Sequence, residues 1–174
     1  MRSTVYPPRE DTYLLEEAVE SLDLKGKKVL EIGCGNGIVT RALEDQGADI
    51  TEVDINKNAL EETKERLENP QDHCIKYSDL FSEINSSYDI VVFNPPYLDG
   101  EEEIGDEEKW YVGDDNILER FFSEIDEYLS GRGEVLVVLS DRTPGIDELK
   151  QKHELEFQRE KKLWFEKLYV GRYK

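Results

Sequence analysis

Residues 90–97 read I-V-V-F-N-P-P-Y, an apolar run that ends in an amide, two prolines and a phenol. Prolines donate no backbone hydrogen bond, so Pro95 and Pro96 end a strand where they stand. The side-chain oxygen of Asn94 and the carbonyl of Pro95 would then form two acceptors at a fixed separation. Such a pair matches an NH₂ group on a planar system and favours charge that develops on its nitrogen. We predict that Asn94, Pro95 and Pro96 are catalytic, with Tyr97 as a flat wall for the substrate.

A second candidate site is the glycine-rich stretch E-I-G-C-G-N-G at residues 31–37. Gly33, Gly35 and Gly37 allow a tight turn and a close approach to a ligand, but the spacing differs from the dinucleotide fingerprint G-x-G-x-x-G. Asp54 ends the next strand, where a carboxylate can accept both ribose hydroxyls of a nucleoside. Together with Glu31, this carboxylate suits a cationic ligand better than a pyrophosphate. We predict S-adenosylmethionine as the cofactor.

Four further residues belong to the predicted cofactor site. One is Asn94, which would point at the cofactor from the end of its strand. Ile55 directly follows Asp54, and Asp79 and Leu80 follow the third strand. An acidic residue at that strand end could meet an adenine amino group. A plain turn aspartate explains Asp79 equally well.

Hydrophobic periodicity gives the elements that must position these residues. Helices are predicted over 11–21, 38–46, 56–68, 116–129 and 147–152, and strands over 27–32, 49–54, 73–77, 88–93, 133–139, 155–160 and 164–172. The alternation predicts an α/β fold with a mostly parallel seven-stranded sheet and helices on both faces. The last two strands are too close for a helical crossover, so they should form an antiparallel hairpin with Trp164, Phe165 and Tyr169 in its core.

Composition narrows the class of protein. The 174 residues fit a single domain, 1–174, and no apolar stretch is long enough to cross a membrane. The N-terminus has no apolar signal region, and two cysteines are too few for a disulfide framework, so we expect a cytoplasmic protein. The net charge of −19 opposes unaided binding to phosphate backbones.

The glycine turn, the acidic strand end and N-P-P-Y, in this order, resemble the class I methyltransferases that act on amide or exocyclic nitrogen. The stretch Y-P-P-R-E-D-T-Y-L-L at residues 6–15 resembles the archaeal and eukaryotic branch of the HemK-like proteins. The resemblance implies a Rossmann-like class I fold and an N-terminal segment, 1–25, that covers the cofactor through Tyr6, Asp11 and Thr12. It also implies that the substrate is the glutamine amide of the Gly-Gly-Gln motif in a class I translation release factor. Bacterial HemK proteins carry a separate N-terminal substrate-binding domain, which we expect to be absent here.

The same resemblance implies a partner, a small zinc-binding activator of methyltransferases. The strand at 73–77 should be a sheet edge, and we predict it as the docking face. No metal is expected in the chain itself, because His73 and Cys74 are adjacent and point to opposite faces of a strand.

Other functions remain open from the residues alone. N-P-P-Y also fits an adenine or guanine amine methyltransferase acting on RNA or DNA, although the net charge and the lack of an added nucleic-acid domain favour a protein substrate. A lysine methyltransferase fits less well, because an ammonium must first lose a proton. A non-catalytic binding subunit would keep the fold without the chemistry, which the intact glycine turn and Asn94 disfavour.

Overall fold

The computed structural model describes residues 5–96 and 116–173, and the bounds below refer to these ranges. Within these ranges the chain forms five α-helices and seven strands, which alternate except that β4 follows β3 and β7 follows β6. The helices are α1 Glu10–Glu20, α2 Ile38–Asp45, α3 Lys57–Arg66, α4 Ile117–Glu124 and α5 Ile146–Lys152. The strands are β1 Lys28–Ile32, β2 Asp49–Asp54, β3 Cys74–Tyr77, β4 Tyr88–Phe93, β5 Leu129–Ser140, β6 Glu156–Lys162 and β7 Lys167–Tyr173.

The strands form one sheet in the order β3-β2-β1-β4-β5-β7-β6. The first five strands are parallel, and β7 pairs antiparallel with both β5 and β6. The strand order reverses between β1 and β4, where ligands bind in open α/β sheets beyond the carboxyl ends of the strands. This topology confirms the predicted seven-stranded sheet with a C-terminal hairpin, and it confirms that β3 is an edge.

Apolar clusters cover both faces of the sheet, as expected for strands buried on two sides. Helices α1 and α2 pack on one face, against alternate residues such as Val29, Ile90 and Val138. Helix α4 and the Phe81 segment pack on the other face, with α5 at its margin. Within the two described ranges, no helix is long and apolar enough to cross a membrane.

The C-terminal half departs from the prediction in three places. Helix α4 ends at Glu124 and continues only as a 3₁₀ turn, Ile125–Tyr128, and β5 starts four residues before the predicted residue 133. The final strand begins at Lys167, because a hydrogen bond from the backbone N of Leu163 to the carbonyl of Glu166 closes a turn there.

The prediction that Trp164 and Phe165 lie in the core of the hairpin is wrong. Both lie in this turn, 96% and 92% exposed. Tyr169 behaves differently, since its ring stacks on Phe157 with centroids 4.2 Å apart.

Candidate active site at the carboxyl edge of the sheet

The glycine turn connects β1 to α2 and has a backbone that glycine adopts readily. Gly33, Gly35 and Gly37 have φ angles of +70°, +55° and +76°, in the left-handed region that other residues avoid. At Gly37 an added Cβ would lie only 2.9 Å from the Cα of Thr63, so a side chain there has no room. The hydroxyl of Thr63 also donates to the carbonyl of Gly35 at 3.2 Å. Helix α3 therefore fixes the shape of the turn.

Asp54 ends β2 directly beside this turn. One carboxylate oxygen accepts the backbone N–H of Gly35 at 3.0 Å, and the other accepts that of Asn56 at 2.7 Å. Each oxygen keeps a lone pair that could accept a further donor, such as a ribose hydroxyl. Burial raises the pKa of Asp54, against the lowering effect of these hydrogen bonds. Ile55 follows it with a side chain that is 61% exposed, as a wall for an apolar ring would require.

Glu31 lies deeper than its predicted role suggests. Its carboxylate is buried and accepts a hydrogen bond from the hydroxyl of Thr40 on α2 at 2.5 Å. Burial raises the pKa of Glu31 well above its ordinary value, and Glu52 and Asp54 add to that effect. A direct contact between Glu31 and the cofactor stays a prediction.

Asn94 follows β4, which pairs in parallel with β1, so it lies at the same edge as the glycine turn. Its Nδ2 donates to Asp11 at 3.3 Å, across 83 residues of sequence. Asp11 is only 4% exposed and also accepts the hydroxyl of Tyr6 at 2.7 Å and the backbone N–H of Thr12 at 2.7 Å. The N-terminal segment thus contacts the predicted catalytic amide directly.

The other end of the Asn94 amide is its Oδ1 oxygen. This oxygen is buried and has no hydrogen-bond partner among the residues that the structure describes. The orientation follows from chemistry, because the Asp11 carboxylate can only accept, so the amide NH₂ must face it. Burying an acceptor without a partner costs free energy, which an N–H donor of a ligand would recover. Pro95 is buried behind Asn94, and Pro96 is half-buried; Tyr97 lies outside the described residues.

Asn36 is a site residue that the sequence interpretation missed. Its side-chain Nδ2 donates to the backbone carbonyl of Tyr6 at 3.1 Å, and the backbone carbonyl of Asn36 accepts from Nε of Arg66 at 2.6 Å. Asn36 therefore links the glycine turn to the N-terminal segment. The sequence could have identified Asn36 by its position between two glycines of the turn, because an Asn side chain there can form hydrogen bonds to a nearby backbone segment.

Thr12 was predicted to contact the cofactor, and in the structure its hydroxyl forms a local hydrogen bond at the start of α1. The hydroxyl accepts the backbone N–H of Arg9 at 3.4 Å, as part of a capping box at the start of α1. Thr12 is buried beside Asp11. Its contact with the cofactor stays a prediction.

Asp79 and Leu80 lie at the end of β3, as predicted, but each already has an intramolecular contact. Asp79 forms an ion pair with Arg120 of α4 at 2.9 Å. The side chain of Leu80 is buried in the core, and its φ of +48° is strained for a residue with a Cβ. An adenine contact at this corner would therefore involve the second oxygen of Asp79 or the backbone.

The described residues contain no group of three or more His, Cys, Asp or Glu placed to hold a metal ion. His73 instead bonds through Nδ1 to the buried carboxylate of Glu52 and lies 3.4 Å from Glu44 through Nε2.

The site at the carboxyl edge of the sheet is built of hydrogen-bond acceptors, chiefly Asp11, Asp54 and Asn94. Such a set suits a cationic sulfonium and neutral hydroxyl or amide donors, so the residues fit S-adenosylmethionine.

Comparisons with known proteins agree with this chemistry. The profile of the methyltransferase small domain matches residues 10–162. The chain is 37% identical over 147 residues to "Putative protein N5-glutamine methyltransferase MJ0928" of Methanocaldococcus jannaschii, which covers 80% of this chain and 74% of that protein.

Two other relatives match over a shorter part. The release factor glutamine methyltransferase of Streptococcus pneumoniae is 38% identical over 100 residues, 55% of this chain and 36% of that protein. The ribosomal RNA small subunit methyltransferase C of Actinobacillus pleuropneumoniae is 38% identical over 94 residues, 52% of this chain and 29% of that protein. The chain thus spans about a third of the length of these two relatives.

Among solved structures, the E. cuniculi Mtq2-Trm112 complex, responsible for the methylation of the eRF1 translation termination factor, superposes with a TM-score of 0.74. The sequence identity is 26%, and the match covers 99% of both chains. The T. thermophilus 16S rRNA N2 G1207 methyltransferase RsmC, solved with AdoMet and guanosine, has a TM-score of 0.66 at 22% identity and covers 97% of this chain but 44% of that one. The comparisons confirm the predicted resemblance, the enzyme class and S-adenosylmethionine as the cofactor.

Proposed function

The chain belongs to the methyltransferase small-domain family, and we propose that it methylates the side-chain amide nitrogen of a protein glutamine. The proposed target is the glutamine of the Gly-Gly-Gln motif in a class I translation release factor. The observation that carries this proposal is the buried Oδ1 of Asn94, which has no partner among the described residues while its NH₂ is held by Asp11. An acceptor in that state is prepared for an NH₂ donor, and a glutamine amide offers one. The glutamine methyltransferases among the relatives support the same choice.

The residues of the site explain how a poor nucleophile could react. S-adenosylmethionine supplies an electrophilic methyl group when it is bound. Oδ1 of Asn94 and the carbonyl of Pro95 accept the two hydrogens of the substrate NH₂, which positions the nitrogen and favours the positive charge that develops on it. Bound S-adenosylmethionine would give up its methyl group to this nitrogen and leave as S-adenosylhomocysteine, and the amide nitrogen would lose one proton to water afterwards. No general base is needed before the attack.

A second candidate is methylation of an exocyclic base amine in RNA. It is supported by the rRNA methyltransferases among the relatives, and a guanine or adenine NH₂ would fit the same two acceptors. The net charge of −19 opposes it, because a polyanionic substrate would be repelled unless a partner supplied positive charge. The two candidates differ in substrate and share Asn94.

We also propose that a small zinc-binding activator docks on the edge strand β3. Along β3, Cys74 and Tyr77 are exposed, and an open strand edge can accept a further strand from another chain. The solved complex of Mtq2 with Trm112 supports a partner of this kind. Tyr77→Ala should weaken activator binding in size-exclusion chromatography. A purified chain that is monodisperse, fully active and indifferent to the activator would contradict the proposal.

The experiment for the main proposal measures transfer of a labelled methyl group, with the activator present, to competing substrates. Recombinant release factor is mixed with total tRNA and rRNA. Label on the factor that disappears when the Gly-Gly-Gln glutamine is replaced would support the proposal, and label on RNA alone would contradict it. Asn94→Ala should lower turnover by ~100-fold or more, whereas the exposed Asn85→Ala serves as a matched control with unchanged turnover. Turnover of Asn94→Ala above about a tenth of wild type would refute the two-acceptor mechanism.

A further inference from the structure

The turn between β6 and β7, residues 163–166, exposes two large aromatic side chains next to each other. We call these four residues the hairpin tip. Trp164 and Phe165 are 96% and 92% exposed, whereas Leu163 packs partly against the core. Scattered apolar residues are normal on a surface, but two adjacent and nearly fully exposed aromatic rings form an apolar patch that indicates an interaction site. Tryptophan and other aromatic residues commonly anchor protein–protein contacts.

The hairpin tip lies at the same edge of the sheet as the catalytic amide. Leu168 pairs with Ser140, the last residue of β5, so β7 begins where the parallel strands end. Phe93, just before Asn94, is level with Val137 of β5. From β4 to β7 is two strand spacings, about 10 Å, and the tip projects roughly 10–15 Å further along the strand direction. The tip is therefore roughly 15–20 Å from Asn94.

The charges around the hairpin tip favour a protein surface over a nucleic acid. Lys161 pairs with Glu10 of α1, and Lys167 pairs with Glu160 at 2.7 Å. These cations are engaged within the chain, so they are less available for phosphates. Beside the aromatic rings, Oε1 of Glu166 is buried and has no partner within the described ranges. Lys162, directly before the tip, is exposed and forms no ion pair within the described ranges, but one cation is a weak anchor for a phosphate backbone on a chain of net charge −19. Two exposed aromatic rings with a single open cation beside them match a largely apolar protein contact.

We propose that the hairpin tip is a docking site for the folded protein substrate, at a surface distant from the glutamine that is methylated. This inference rests on the proposed function, and it deepens it by naming a second contact. A short peptide around the glutamine would not reach the tip, because roughly five or six fully extended residues are needed to span 15–20 Å. The tip would therefore select the folded factor over unfolded glutamine-containing segments.

The hairpin tip and the β3 edge can be occupied together. They lie towards opposite ends of the seven-stranded sheet, five to six strand spacings apart, or about 24–29 Å. An activator on β3 therefore leaves the tip open. The active site lies between them, near the centre of the sheet. A substrate that contacts both Asn94 and the hairpin tip would cover only the half of the sheet edge that is distant from β3.

The test uses the full chain in complex with its activator and the double variant Trp164→Ala/Phe165→Ala. We expect the KM for intact release factor to rise at least about tenfold, with kcat unchanged. The KM for a short Gly-Gly-Gln peptide and the calorimetric Kd for S-adenosylmethionine should not move. The matched control Trp164→Tyr/Phe165→Tyr keeps an aromatic ring at both positions and should retain most of the affinity for the factor.

The outcomes separate this inference from the proposed function. If wild type does not methylate the factor at all, the proposed function fails and the docking site fails with it. If wild type methylates the factor and the double alanine variant has an unchanged KM, only the docking site is refuted. A variant that loses affinity for RNA and not for the factor would also overturn the inference, because the tip would then be a base-stacking surface.

Discussion

Replacing Asp11 with asparagine would test what orients the catalytic amide. One oxygen of Asp11 accepts both the Tyr6 hydroxyl at 2.7 Å and Nδ2 of Asn94 at 3.3 Å, and the other accepts the backbone N–H of Thr12 at 2.7 Å. Asp11→Asn turns one oxygen into an NH₂ group. The short bond from Thr12 needs an acceptor, so the new NH₂ should face Tyr6 and Asn94. Asn94 would then rotate its amide by 180° to accept from it.

The size of the effect follows from this rotation. A rotated Asn94 presents its NH₂ to the substrate NH₂, so an acceptor is replaced by a donor that faces another donor. Loss of one contact that stabilises charge in the transition state costs about 100- to 1000-fold in kcat. We therefore expect Asp11→Asn to lower kcat by at least ~100-fold, although the substitution is nearly isosteric. The Kd for S-adenosylmethionine should weaken far less than kcat falls, because the described contacts of Asp11 do not include the glycine turn and Asp54 keeps its charge.

The assay is the initial rate of labelled methyl transfer to the release factor, with the cofactor Kd measured by calorimetry. Tyr6→Phe is the matched control: it removes a donor to the same oxygen but leaves the acceptor for Asn94, so kcat should stay within about fivefold. Adding Asp11→Asn to Asn94→Ala should cost nothing further, since the group that it orients is gone. A kcat for Asp11→Asn within about threefold of wild type would show that Asp11 does not set the orientation.

Three further variants address the cofactor site and stability. Asp54→Ala should weaken cofactor binding about tenfold or more while the chain stays folded, and an unchanged affinity in calorimetry would remove Asp54 from the site. Burial raises the pKa of Glu52 from an ordinary 4.5 to about 7, so its contribution to stability is fully present below pH 4.5 and is lost as pH rises through 7. Urea unfolding should show that wild type loses about 3 kcal/mol more than Glu52→Gln over this range; parallel pH profiles would be inconsistent with this. Gly37→Ala should destabilise by at least about 2 kcal/mol more than Gly26→Ala, since both have positive φ but only the first meets Thr63; equal losses in urea unfolding would argue against that clash.

The sequence was sufficient to predict the elements around the cofactor because each carries a local signal. The glycines at 33, 35 and 37 mark a turn with left-handed backbone, and Asn56 marks the start of α3, where its side chain accepts the N–H of Asn58 at 3.0 Å. Pro95 marks the end of β4. These signals act within a few residues, so a single sequence contains them.

The position of the turn between β6 and β7 could not be predicted in the same way. The run K-K-L-W-F-E-K-L-Y-V contains no glycine or proline to mark its turn, and its apolar residues fit a strand as well as a loop. The prediction placed Trp164 and Phe165 in the core because it started the final strand at residue 164. Their exposure depends on where the turn closes between Leu163 and Glu166, which the pairing of β6 with β7 decides.

The link between Asp11 and Asn94 was also beyond the sequence, because it depends on how two distant segments meet at one edge of the sheet. Tyr6 extends that link: its carbonyl accepts from Asn36 in the glycine turn, and its hydroxyl donates to Asp11, which holds Asn94. The N-terminal segment thus joins the cofactor turn to the catalytic amide through one residue. Because the Asn36 contact uses only the backbone of Tyr6, Tyr6→Phe leaves it in place. The segment should therefore stay docked in that variant, which is why its activity tests the hydroxyl alone.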